Sequence, residues 1–149
     1  MPTSSKQLAA GLKHGFRSGL EEQIAAELDE IGVAFAFESE RIGYTVPSRK
    51  AFYTPDFILP NGIVIETKGR FVTADRQKHL MIKAQHPDLD LRFIFTNPNA
   101  RISKQSRTTY ADWCERKGFK YAKAATKAQR AKGARSVPQE WLEECRETA

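Results

Sequence analysis

Cysteine is scarce in this chain. Cys114 and Cys145 are the two cysteines among 149 residues. They have no CxxC spacing and no nearby histidine pair, which excludes the common zinc-site patterns. Both read as reduced thiols, Cys114 in the core and Cys145 partly exposed near the C-terminus. Long apolar runs are also missing. No stretch approaches the roughly 20 residues that cross a bilayer, and the opening MPTSSKQLAAGLKHG lacks the apolar centre of a secretory signal. These absences predict a cytoplasmic protein without a membrane partner. There is no internal repeat, and the length suits one domain with a real core. Acidic residues thin out between Arg101 and Arg135, where only Asp112 and Glu115 oppose a long series of lysines and arginines. The whole chain carries a formal net charge of +6 and a pI near 9.4. That balance favours a polyanion, nucleic acid before membrane, although a basic solvated face would look similar.

What is present is a succession of short elements. SGLEEQIAAELDEIG places Leu20, Ile24, Leu28 and Ile31 on one helical face, with Ser18 as N-cap, Glu21 completing a capping box and Gly32 as stop. VAFAFE and RIGYTV read as strands joined by a turn at Ser39 and Glu40, and PSRKAFYTP as an extended connection. A hairpin follows, then a helix from Thr73 to Pro87 with Thr73 as its cap. The buried strand LRFIFTNP, the helix TYADWCERKG and a short strand FKYAK come next. AATKAQRAKGARS has no apolar face and reads as a solvated helix or linker, and PQEWLEECRE as a short final helix. The expected class is α/β, a mixed central β-sheet flanked by helices. Residues 1–15 are expected to form a mobile N-terminal arm, 16–122 the main domain, and 123–149 a basic linker with a helix packed on that domain.

The hairpin YTPDFILPNGIVIETKG carries the chemistry. A three-residue loop fits it best, with Pro60 opening a type I turn and Gly62 in the left-handed position. Ile58 then pairs with Val64, Phe57 with Ile65, and Asp56 with Glu66. Side chains alternate along a strand, so Asp56, Glu66 and Lys68 project together from one end. Two carboxylates facing each other repel. A hard divalent cation, Mg²⁺ or Mn²⁺, would remove that repulsion, and the Thr67 backbone carbonyl could add a ligand. Lys68 would orient water or stabilise charge on a phosphorane-like transition state. The cluster therefore reads as a metal-dependent phosphodiesterase site with no small-molecule cofactor. A plain ion pair at a sheet end is the competing reading.

Pro55-Asp56 with Glu66-Thr67-Lys68 is the PD-(D/E)xK nuclease pattern, which is degenerate alone. Together with FRSGLEEQ, DRQKHLMIKAQHPDLDLRFIF and WCERKGFKYA it resembles phage endonuclease I, a family of Holliday-junction resolvases. The resemblance runs from about Phe16 to about Ala122. It implies a restriction-endonuclease-like core and an intertwined homodimer that exchanges elements across Pro47–Pro55. It also implies paired, metal-dependent cuts in four-way and other branched DNA, with two ions per site. It makes Glu21 a further metal ligand and catalytic residue beside Asp56, Glu66 and Lys68, whereas the residues alone leave capping as its role. Arg17, Arg70, Arg76 and Lys78 lie near these motifs and are candidates for holding phosphates. Arg101, Lys104 and Arg107 form a candidate backbone clamp. Each reads equally as a surface charge. His79, His86 and Trp113 are expected to be structural. A nuclease of linear duplex, or a non-catalytic architectural DNA-binding protein, would explain part of the same pattern.

Overall fold

The computed structural model of the chain describes Phe16, residues 18–46 and residues 49–148, with side chains described as far as Glu143. Helix α1 spans Gly19–Glu30, and the Ser18 hydroxyl accepts from the Glu21 amide at 3.1 Å. Strand β1 (Ala36–Phe37) follows, then β2 (Ile42–Val46), β3 (Arg49–Tyr53), β4 (Phe57–Ile58) and β5 (Val64–Lys68). Helix α2 (Thr73–Gln85) crosses to β6 (Leu91–Phe95), α3 (Tyr110–Lys117) to β7 (Lys120–Lys123), and α4 (Lys127–Ala131) and α5 (Gln139–Thr148) complete the order.

The main sheet has strand order β1-β4-β5-β6-β7. Its first three strands are antiparallel neighbours, and β5-β6 and β6-β7 are parallel. The expected mixed sheet with flanking helices is therefore present. The parallel pairs explain where the helices sit, since a parallel return needs a crossover, here supplied by α2 and α3.

Apolar residues alternate in β5 between two cores. Ile65 joins Ile24, Leu28, Phe35, Phe57, Trp141 and Leu142 on one face of the sheet. Val64 joins Tyr53, Phe71, Ile82, Phe93 and Trp113 on the other. Phe57, Ile65 and Phe93 are fully buried, each side chain contributing about 1.5–3 kcal/mol. β6 is buried at every position, as a central parallel strand should be.

The hairpin has the expected register, Ile58 opposite Val64 and Phe57 opposite Ile65. Its turn is closed by Gly62 N–H to Leu59 O and Leu59 N–H to Ile63 O, both 2.9 Å, with Gly62 at φ +90°. Two expectations need correction. VAFAFE and RIGYTV do not pair with each other: β1 pairs with β4 in the main sheet, and β2 pairs with β3 in a separate two-stranded sheet. PSRKAFYTP is accordingly not a bare connection, because Arg49–Tyr53 is a strand. β2 offers β3 a complete ladder from Ile42↔Tyr53 to Val46↔Arg49, which satisfies backbone groups that a lone extended segment would leave to water. Gln85 and His86 at the end of α2 bond the backbone of Thr45 and Gly43 and so tie this small sheet to the domain. A smaller correction concerns α2. Its N-cap is Val72, whose apolar side chain cannot cap, and Thr73 Oγ1 accepts from Arg76 at 3.0 Å.

α4 has no buried residue, as a solvated helix should. α5 anchors the C-terminal segment through Trp141 and Leu142. Cys114 is a buried free thiol whose pKa burial raises to about 12. The Cys145 side chain and the N-terminal arm lie outside the described residues.

Candidate active site

The ends of β1, β4 and β5 meet the first turns of α1 and α2 at one end of the main sheet. β1 is paired to β4 through Ala36↔Ile58 and Phe37↔Phe57, and the next step along that ladder brings Glu38 to Asp56. The Glu38 amide donates to the Asp56 carbonyl at 3.3 Å. Glu38 is the one non-glycine residue with positive φ, +47°, among the described residues. Such a conformation costs about 1–2 kcal/mol in an L-residue and concentrates at functional sites. α1 packs on the Ile65 face and carries Glu21 in its first turn. One carboxylate oxygen each from Glu21, Glu38 and Asp56 lies within 4.8 Å of the others. Glu21 and Asp56 thus meet within one chain, and Glu21 belongs to this cluster while its amide is capped by Ser18.

Glu38 was not among the sequence candidates. Its only local signal is a charge set directly after the apolar alternation of VAFAF. Its neighbourhood is created by the β1–β4 pairing, which sequence spacing did not suggest.

Asp56 Oδ2 accepts from the Thr67 amide at 2.9 Å and from the Thr67 hydroxyl at 3.0 Å. The N–H and C=O of one strand residue point to the same edge, so the Thr67 carbonyl also faces the Asp56 side. Burial raises the pKa of Asp56, and the Thr67 hydrogen bonds partly offset this. Glu66 is buried on the Val64 side. It accepts from the Tyr53 hydroxyl at 2.6 Å and lies 3.5 Å from Lys68 Nζ. Burial first, then repulsion from Asp56, raise its pKa to about 7 against the attraction of Lys68. Lys68 Nζ is 3.4 Å from Asp75 in the first turn of α2. Lys68 therefore does pair with a carboxylate, as the plainer reading anticipated, but inside a cluster with further buried acids.

The basic candidates separate. Arg70, Arg101, Lys104 and Arg107 are exposed. Arg70, Arg101 and Lys104 line one open depression with Phe71, Val72 and Tyr110, and Arg70 is two residues beyond Lys68 on the same run of chain. Lys78 sits 5.0 Å over the Tyr53 ring. Arg76 is buried, and its guanidinium donates to Phe71 O and Thr73 Oγ1. Those bonds hold it against the start of α2. Arg17 lies outside the described residues. His79 is fully buried, bonds Asp75 O through Nδ1, and has its pKa lowered to about 4 by burial. His86 bonds Gly43 O, and Trp113 is core, so the structural roles expected for the three residues hold.

At one end of the mixed sheet stand a lysine and a cluster of carboxylates, of which Glu21, Glu38 and Asp56 could hold a metal ion. The phage endonuclease I family model matches residues 3–149. Endonuclease I of Escherichia phage T7 is 40% identical over 129 residues, 87% of this chain and 79% of the relative. Endodeoxyribonuclease 1 of Enterobacteria phage T3 is 48% identical over 107 residues, 72% of this chain and 70% of the relative. The chain belongs to the phage endonuclease I family, the family its sequence resembled, and is an enzyme of the nuclease class. Among the described residues no helix is long and apolar enough to cross a membrane.

Proposed function

We propose that this protein is a structure-selective endodeoxyribonuclease that resolves four-way and other branched DNA by paired, metal-dependent hydrolytic cuts. The observation that carries the reading is the convergence of Glu21, Glu38 and Asp56 within 4.8 Å at the end of the strand bearing Glu66 and Lys68. Family membership supports DNA as the substrate.

The residues fit a hard divalent cation. Oxygen donors from three carboxylates, Glu21 and Asp56 buried and Glu38 partly so, lie together, and Asp56 and Glu66 both have raised pKa values that a neighbouring cation would reverse. Asp56, Glu21 and Glu38, with the Thr67 carbonyl, would hold one ion, and Glu66 would help to hold a second. Mg²⁺, or Mn²⁺ in its place, would supply activation of the attacking water and neutralisation of charge at the scissile phosphate. Lys68, held between Glu66 and Asp75, places an ammonium where it orients water or stabilises the developing oxyanion. Thr67 fixes the Asp56 carboxylate through two donors. Arg70, Arg101 and Lys104 in their shared depression, with Arg107 on the same loop, hold the phosphodiester backbone as it leaves the site. Lys78 lies on the side of Glu66 and Tyr53 and contributes positive potential there.

A four-way junction is nearly two-fold symmetric, and its resolution needs two symmetric cuts, which two identical sites in a homodimer would make. In an intertwined dimer, exchange across Pro47–Pro55 would bring the same residue types together between subunits.

The test is cleavage of an end-labelled four-way junction beside a linear duplex of the same sequence, with Mg²⁺ and with EDTA, for wild type and Glu66→Ala. The expected result is paired, metal-dependent cuts near the branch, weak cutting of the duplex, and a variant that binds the junction but does not cut. Equal cutting of the duplex would make the protein a general nuclease. Tight binding without cutting in any metal would leave an architectural protein.

A further inference from the structure

Tyr53 ends β3 and is 1% exposed. A buried phenol needs a partner for its hydroxyl, and this one finds Glu66 Oε1 at 2.6 Å, in the range of a charge-assisted O–H···O bond. The ring is held by its neighbours on α2. The His79 ring meets it edge-on at 5.3 Å and 79°, and Lys78 Nζ lies 5.0 Å from its centroid. The last torsion of a glutamate is broad and nearly two-fold, so burial alone does not decide which oxygen faces which group. Here the oxygens are divided: Oε1 is bound by Tyr53, and Oε2 lies 3.5 Å from Lys68 Nζ. Packing by itself does not call for the hydroxyl, because a phenylalanine fills nearly the same space without a buried donor.

We propose that Tyr53 is a positioning residue, whose hydroxyl anchors Glu66 Oε1 and so presents Oε2 on the Lys68 side as the oxygen available to a divalent cation. This rests on the reading of Glu66 as a metal ligand given above. The hydroxyl touches neither substrate nor reacting atoms. It acts by removing the freedom of the carboxylate before the cation arrives.

The experiment uses the full chain and the variants Tyr53→Phe, Phe71→Leu, Glu66→Gln and Tyr53→Phe/Glu66→Gln. Mn²⁺ binding is measured by calorimetry without DNA, and junction cleavage is measured against Mn²⁺ concentration. Loss of an outer partner of a metal ligand typically weakens the metal about 10–100-fold. Tyr53→Phe is expected to raise the apparent Mn²⁺ dissociation constant about 10-fold, to shift the half-saturation of cleavage in parallel, and to recover near wild-type rate at saturating metal. In the Glu66→Gln background it adds no further loss. Phe71→Leu trims the same aromatic cluster, being linked to it through His79 at 6.3 Å, and is expected to leave Mn²⁺ binding unchanged. Mn²⁺ affinity of Tyr53→Phe within about two-fold of wild type, or an equal shift in Phe71→Leu, would overturn the proposal. If wild type binds Mn²⁺ and cleaves while Tyr53→Phe is unaltered, only this inference falls. If wild type binds no Mn²⁺, the metal reading of the site falls with it.

Discussion

Helix α1 buries two glutamates, and their surroundings differ in kind. Glu27 is met by donors: the Ser136 amide at 2.5 Å, the Ser136 hydroxyl at 2.8 Å and the Gln23 side-chain amide at 3.2 Å. Glu21 stands with two other carboxylates, Glu38 and Asp56. Both are buried acids on one helix, so burial alone does not separate a structural carboxylate from a reactive one. The shell does. Donors satisfy a buried charge and dock the segment that supplies them, here the turn leading to α5. Clustered carboxylates offer several oxygens to one cation.

The sharpest way to break this contrast is to substitute each glutamate and read both rate and stability. Glu21→Gln is expected to lower metal-dependent cleavage about 10²–10³-fold, the scale of a lost transition-state stabiliser, while thermal stability in the absence of metal stays level or rises. Glu27→Ala is expected to leave the rate per folded molecule unchanged below its melting range. It strands the Ser136 amide and hydroxyl in the interior, at a cost of about 2–4 kcal/mol in denaturant unfolding. If the two variants exchanged behaviours, the assignment of roles would be wrong.

Titration sharpens the contrast further in the metal-free protein. Glu66 has a folded pKa of about 7 against an ordinary 4.5. The folded state holds the extra proton, so this contribution is complete below pH 4.5 and is lost as pH rises through 7. His79, at about 4 against 6.5, has the opposite sign, being stabilising above pH 6.5 and losing that contribution as pH falls through 4. The two oppose each other between pH 4.5 and 6.5. Melting curves of Glu66→Gln should therefore show stability rising with pH across that window. Those of His79→Gln should show it falling up to pH 7. A profile unchanged by either variant would contradict both assignments.

The smallest expected effects concern exposed cations. Arg135 lies 3.5 Å from Glu30 at the surface, one turn from Glu27, and Arg135→Ala should change stability by no more than about 0.5 kcal/mol. Replacing Arg70, Arg101 or Lys104 by alanine should each weaken junction binding and reduce the slope of log affinity against log salt by about 1, with Arg135→Ala leaving that slope alone. Filter binding over a range of salt concentrations separates them.

Much of this site was legible because its parts are local. Pro60, Asn61 and Gly62 set the turn, and the turn set the register of Phe57 with Ile65 and Ile58 with Val64; the expected pairing of Asp56 with Glu66 lies past those pairs, where the Asp56 carboxylate bonds Thr67 instead. Glu38 was hidden because its partner is reached by pairing between strands far apart in sequence. RIGYTV, the nearer candidate in sequence, instead pairs with Arg49–Tyr53. The setting of Arg76 was hidden for a related reason. Its charge is visible in the sequence, but its burial against Phe71 and Thr73 exists only once α2 is seated.

By itself, then, the sequence determined the hairpin, the alternation that sends Ile65 and Val64 into separate cores, the amphipathic α1 and the family to which the chain belongs. All of these follow from turn chemistry and periodicity over a few residues. Only the tertiary structure decided that Glu38 joins Glu21 and Asp56, that Tyr53 holds Glu66, and that Glu27 bonds Ser136. Those outcomes depend on which distant strands and helices pack together, and no local pattern in the chain carries that information.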